Sequence, residues 1–317
     1  LISLLSHLLA VIGRQGTKAV AASIFVGLAL PPLAALAKPV LVPCILCLLA
    51  MSFMRTDLRQ MAGGRHALLL AGALVWIMGV LPLALGFTVN RLLPPADNGL
   101  MLALVMQAAA PPIMSTPAFA LLLGIDAALS LAVMLLALCI LPFTAPVFVA
   151  YFTDGALALD GMALGGRLVL IIAGCAGSGL LLRGLIGPVR MVRWNDQLNG
   201  LNALLLLVLA VAFMDGVTAR LLVEPWLVLG MAGLAALVSV CALLATLALF
   251  RRVEAGQDLM LAYAAGNRNF GLMVAAAGGV LPETTWLYVA LAQFPIYLLP
   301  YLLRPLAARL LRRAGPP

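Results

Sequence analysis

The chain has 317 residues, 65% of them hydrophobic and 9% charged, with a mean hydropathy of +1.17. Soluble globular chains carry roughly 25% charged and 45–50% apolar residues, so this composition excludes a water-soluble domain and leaves an integral membrane protein. The net charge of +8 does not point to a nucleic acid partner, because a membrane chain first places Lys and Arg in its cytoplasmic loops.

A helical span takes roughly 20 residues, so ten spans need about 200 and leave no room for a soluble domain. The apolar runs are rich in Leu, Ala, Val and Gly and lack the ten-residue alternation of a membrane barrel, so the predicted fold is all-α. Residues 1–18 open with an apolar stretch too short to span, followed by Arg14 and Lys18, and read as an interfacial helix. Apolar runs then follow at Ala19 to Ala37, Pro39 to Met54, Ala67 to Thr88, Gly99 to Leu123 and Asp126 to Phe152. A second five lie at Met162 to Leu182, Leu198 to Met214, Trp226 to Phe250, Asp258 to Val280 and Thr284 to Leu303. The expected organisation is a first five-helix repeat over 19–152, a second over 162–303 and a basic tail over 304–317. Cys44, Cys47, Cys139, Cys175 and Cys241 all lie in apolar runs and are expected to pack as small hydrophobes.

With the N-terminus inside, the cytoplasmic segments hold 14 of the 19 basic residues and the outside holds Lys38, Arg91, Arg167 and Arg220. This bias predicts a multi-pass protein of the cell (inner) membrane with both termini cytoplasmic. Cysteines introduced near Arg59 and Arg190 are expected to be shielded from impermeant thiol reagents in intact cells, and those near Asp160 and Glu224 to react. Labelling of the first pair from outside would reverse the orientation.

The two halves repeat in spacing. The second and seventh runs start 159 residues apart, at Pro39 and Leu198, as do the third and eighth, at Ala67 and Trp226. Five spans per repeat force the second copy to insert upside down, as in many secondary transporters. The fourth and ninth runs are also interrupted at corresponding places. The first interruption reads Gln107-Ala-Ala-Ala-Pro111-Pro112-Ile-Met-Ser115-Thr116-Pro117, and the second Gly266-Asn267-Arg268-Asn269-Phe270-Gly271. Paired broken helices present free helix ends and unpaired backbone groups at the membrane midplane, where substrates bind. Pro82, Pro142, Pro146, Pro295 and Pro300 are expected only to kink their helices.

Arg268 is the one full charge deep in a span, at a cost of at least about 2.5–3.5 kcal/mol unless paired or hydrated. Its partner is either backbone carbonyls at the broken ends, a distant acid such as Asp126, or an anion supplied by the substrate. Asn267, Asn269, Ser115, Thr116 and Gln107 complete the candidate substrate site, although such groups also serve as interhelical hydrogen bonds. Gln293 is assigned to packing, and His7 and His66 lie outside the spans. No HExxH, phosphate loop or GxSxG is present, so the chain is not expected to be an enzyme.

On the Pro111 to Pro117 interruption leading to Asp126 and Ser130, and on the run from Gly266 to Leu272, the chain resembles the bile acid/sodium symporter family. The resemblance implies ten helices, with helices 4 and 9 broken and crossing, a mobile core packed on a panel, and alternating-access transport of organic anions. It also implies a sodium site, and there the sequence departs from the pattern. The family's Ser-Asn pair falls on Thr116 and Pro117, its hydroxyls on Ser130 and Met134, its Gln-Asn on Arg268 and Asn269, and its Glu on Ala264. Only Thr116, Ser130 and Asn269 remain as sodium-site positions. A hard cation needs several oxygen ligands, so no cofactor is expected, a bound sodium ion included.

The expected function is a secondary transporter of a small organic anion, its partners the anion and the lipid bilayer, without classical sodium coupling. The alternatives are a sodium-coupled anion symporter of the same family and a membrane-embedded ligand sensor.

Overall fold

The computed structural model describes residues 22–56, 67–92, 97–122, 125, 127–153, 160–254, 256–278 and 281–314. The interfacial helix expected over 1–18, His7, His66 and Asp126 lie outside these residues.

The described chain is helical almost throughout. After α1 (22–29) come α2 (Pro31–Ala37), a tight turn at Lys38–Val40, α3 (Leu41–Arg55) and α4 (Ala67–Val75). A π-helical turn at Trp76–Val80 leads into α5 (Leu81–Leu92), α6 (Asn98–Ala109), α7 (Thr116–Leu122) and α8 (Ala128–Phe152). The second half holds α9 (Gly161–Ile186), α10 (Pro188–Arg193), α11 (Asn195–Phe213), α12 (Val217–Val223) and α13 (Pro225–Leu249). It closes with α14 (Gln257–Gly266), α15 (Phe270–Ala277) and α16 (Glu283–Ala314). Among the described residues seven helical stretches are long and apolar enough to cross a membrane: Pro31–Arg55, Ala67–Arg91, Ala128–Phe152, Gly161–Ile186, Asn195–Val223, Pro225–Leu249 and Glu283–Leu303. Their outward faces carry bare apolar side chains such as Leu170, Leu181 and Trp226, which in water would drive aggregation and in lipid cost nothing. The chain is therefore an all-α, multi-pass membrane protein.

Two boundaries differ from the sequence-based expectation. The break expected at Lys38 falls at Leu30, whose φ of −125° and ψ of 71° lie outside the helix. The residue before a proline is pushed out of the α region by the ring, and Pro31 does this to Leu30, while Lys38 continues the helical path with φ −55° and ψ −42°. At the other end α16 does not stop at Leu303 but runs on to Ala314 through Pro295, Pro300 and Pro305. Pro142 and Pro146 likewise lie inside α8.

In the packing, α3 lies against α9 and α11, and α2 against α11. α13 packs on α14 and α16, and α6 is held by α5, α8 and α16. Gly179 permits the closest of these approaches, since a Cβ there would run into the Ala50 carbonyl and lie 2.9 Å from the Phe53 Cβ on α3. Both α6 and α14 are buried over nearly their whole length, so each ends, and each breaks, inside the protein.

Candidate functional site at the helix breaks

A helix that ends in the interior leaves carbonyls that must find donors. Ala110 is the last residue before Pro111 and adopts φ −57° and ψ 147°, which stops α6. The chain then runs extended through Pro111 and Pro112 and meets the break after Gly266, where an isolated antiparallel bridge pairs Pro112 with Arg268. Two backbone bonds close it: Ile113 N–H donates to the Asn267 carbonyl at 2.9 Å, and Asn269 N–H to the Pro111 carbonyl at 2.8 Å. The two interruptions therefore cross in contact. Neither proline needs a donor there, because the bridge uses the N–H groups of Ile113 and Asn269.

This crossing decides where Arg268 goes. Its side chain is 4% exposed, and all three guanidinium nitrogens donate to backbone carbonyls. Nε reaches Ala265 at 2.8 Å, one terminal nitrogen Ala110 at 2.9 Å and the other Ile77 at 2.9 Å. Each acceptor is free for an identifiable reason. Within a continuous helix the Ala265 carbonyl would take the Asn269 N–H, which the bridge has claimed. The Ala110 carbonyl follows the last turn of α6. Ile77 would ordinarily accept from Leu81, but in the π-helical turn the Leu81 N–H goes to Trp76 instead. In that wider register the donor for Ile77 would be residue 82, and Pro82 has no N–H. Pro82 thus does more than kink its helix: it leaves a carbonyl for Arg268. Of the three partners considered in the sequence, the backbone carbonyls are the ones found.

The other candidate residues separate by exposure. Gln107 is buried in a network across three helices: its amide donates to Ser239 Oγ at 3.0 Å and to the Ala235 carbonyl at 3.3 Å, and its carbonyl accepts from the Tyr288 hydroxyl. Asn267 is fully buried, donates to the Tyr263 hydroxyl at 2.9 Å and to the Ile296 carbonyl at 3.1 Å, and keeps its own Oδ1 without a partner. The Thr116 hydroxyl donates back to Ile113 at 2.7 Å and the Ser130 hydroxyl to Ala127 at 2.9 Å, both in the interior. Gln293 donates to Val289 within its own helix at 3.0 Å.

Two candidates reach the surface of the site. Ser115 is exposed in the turn before α7, within hydrogen-bonding reach of Tyr263. Asn269, half-buried, caps α15 by accepting from Leu272 N–H at 3.2 Å. Gly271 lies two residues on, and a Cβ there would come 3.3 Å from Ile45 of α3, so the start of α15 faces α3. Pro117 sits in the first turn of α7 and Gly266 closes α14. Among the described residues no three of His, Cys, Asp and Glu come together as metal ligands.

Tyr263, Tyr288, Ser239 and the Ile77 carbonyl are the site residues that sequence reasoning missed. The signal for the last was present in the third run, a proline, Pro82, three residues after Gly79. No sequence pattern marks which carbonyl such a turn releases. No protein-family model matches the chain, and no curated protein matches it.

Proposed function

We propose that the protein is a secondary carrier of a small organic anion, built on the inverted-repeat plan of the bile acid/sodium symporter family and working without sodium. The observation that carries this reading is the crossing itself: two broken helices, their breaks bridged at Pro112 and Arg268, with a cation held at the ends of both half-helices. Half-helix C-termini carry about half a negative charge each and in transporters commonly hold the coupling cation. Here the chain supplies that cation permanently as the Arg268 guanidinium. The oxygen groups left at the residual sodium positions, Thr116, Ser130 and Asn269, each already serve a local backbone group.

The packing supports the repeat. α5 on α6 has its counterpart in α13 on α14, and α8 on α14 in α16 on α6. The bonds of the bridge between 111–113 and 267–269 are reciprocal, as an inverted repeat would make them. On this reading α2, α3, α9, α11 and α12 form one body, the remaining long helices form the other, and the anion lies between them. Ser115, exposed, and Asn269, half-buried, are its contacts, with the first N–H groups of α15 favouring negative charge.

Uptake into proteoliposomes at fixed pH and voltage, with sodium or choline outside, tests the proposal. Rates within about twofold of each other are expected, well under the tenfold that 1.4 kcal/mol of coupling would produce. A steep, saturable sodium dependence would return the chain to sodium-coupled symport, and ligand binding with no uptake would make it a sensor.

A further inference from the structure

Among the described residues, four polar links between the two bodies gather at one end of the molecule. Arg220 on α12 faces Glu283 at the start of α16, 3.6 Å away. Trp286 donates from its indole N–H to the Asp215 carbonyl at 3.2 Å, and the Lys38 ammonium sits 5.0 Å over the Trp286 ring. Arg167 on α9 donates to the Ala277 carbonyl at the end of α15, 3.3 Å away, in the space that a Cβ at Gly278 would fill. Three of the four basic residues assigned to the outer loops are thus spent on these links. At the opposite end, among the described residues, Arg55 donates to Asn195 and Asn199 and Arg183 donates to the Met54 carbonyl.

The three cations in these links, Lys38, Arg167 and Arg220, belong to the first body, and their partners across the seam, the Trp286 ring, the Ala277 carbonyl and Glu283, to the second. Two of the cations also hold an acid of their own body. Lys38 is 2.7 Å from the Asp215 carboxylate, and Arg220 is 3.4 Å from Glu224 one helical turn on. When the bodies part, Lys38 and Arg220 therefore exchange a distant partner for a near one, and neither charge is stranded. The side chains are at the rim, with Glu283 82% and Lys38 51% exposed, where an ion pair holds weakly and breaks readily. The space left between the bodies, lined by Arg220, Met231, Glu283 and Trp286, is a pocket of about 100 Å³, room for a few waters at roughly 30 Å³ each.

We infer that Lys38, Arg167, Arg220, Glu283 and Trp286 form a reversible gate that closes the Lys38 end. This rests on the carrier reading for the division into two moving bodies.

The test uses the full chain with its five cysteines replaced and Ser115→Cys as the reporter at the crossing, probed with an impermeant maleimide from each side in turn. The closed gate shields the reporter from the Lys38 side. Lys38→Gln, Arg167→Gln and Arg220→Gln together are expected to raise labelling from that side about tenfold, a shift of about 1.4 kcal/mol between the two states, and to lower it from the other. Glu283→Gln alone gives a smaller shift in the same direction. Conversely, Asp215→Cys joined to Trp286→Cys by a short thiol cross-linker abolishes labelling from the Lys38 side. Unchanged labelling in the triple variant, or full labelling from the Lys38 side in the cross-linked protein, overturns the gate. If labelling switches as described but the parent chain, with Ser115 intact, takes up no anion, the gate stands and the carrier reading fails. If the Asp215→Cys/Trp286→Cys cross-link, made in a chain with Ser115 intact, leaves the rate of uptake unchanged, the reverse holds.

Discussion

Arg268→Ala is expected to abolish uptake and to cost about 3–5 kcal/mol of stability, the range for removing one partner from a buried charged network. The loss has a definite composition. Three carbonyls, of Ala265, Ala110 and Ile77, lose their donors at once in a region sealed from water, and each unsatisfied buried acceptor costs about 1–3 kcal/mol. The ends of α6 and α14 also meet at the crossing with negative partial charges and nothing between them. Arg268→Lys keeps the charge but not the fork: one ammonium on a flexible stem replaces three fixed nitrogens, so an intermediate loss is expected. Thermal unfolding in detergent, monitored by far-UV circular dichroism, measures both. Millimolar guanidinium added to the Ala variant should recover part of the stability by occupying the same carbonyls. An Ala variant as stable as the parent would mean that the carbonyls find other donors and that Arg268 does not hold the crossing.

The breaks were legible because proline and glycine act locally: Pro111 stops α6 whatever surrounds it, and a Gly-Asn-Arg-Asn run does not continue a buried helix. Their spacing is equally plain in the sequence, and the contact between 111–113 and 267–269 joins them. The fate of Arg268 was legible as a need, since a lone intramembrane cation requires a partner, but not as an answer. Its acceptors come from three places distant in sequence, at residues 77, 110 and 265, and are backbone groups that every residue possesses. Gln107 shows the converse. Its position in a broken helix makes it a candidate ligand in the sequence, and only packing brings Ser239 and Tyr288 to it. The early break at Leu30 was legible in principle from Pro31 and Pro32, but the charge of Lys38 drew the boundary toward itself. That lysine stays on the helical path, with its ammonium 2.7 Å from Asp215.

Gly266→Val is expected to destroy the crossing without touching a polar group. Gly266 is the last residue of α14, and a Cβ there would lie 2.7 Å from the Ser239 carbonyl oxygen and 2.9 Å from the Leu243 Cβ. The first of these is helix backbone of α13, which has no rotamer in which to retreat, so α14 must move outward. Overpacking of this kind costs about 1–3 kcal/mol even where side chains yield, and the neighbours make it worse here. Gly266 stands two residues before Arg268, and Ser239 is also a partner of Gln107, so displacement strains the carbonyl set and the α6–α13–α16 network together. The control lies on the same helix as the obstacle: Gly230 and Gly233 of α13 have nothing within 4 Å of an added Cβ. Gly233→Ala should leave stability unchanged or raise it by up to about 1 kcal/mol through helix propensity alone. Gly266→Ala, one methyl group, should already unfold at lower temperature and lose most uptake, and Gly266→Val should fail to reach the membrane in folded form. Equal melting temperatures for Gly266→Ala and Gly233→Ala would show that α14 does not lean on α13 at this point, and that the crossing is held by the bridge and the guanidinium without this close approach.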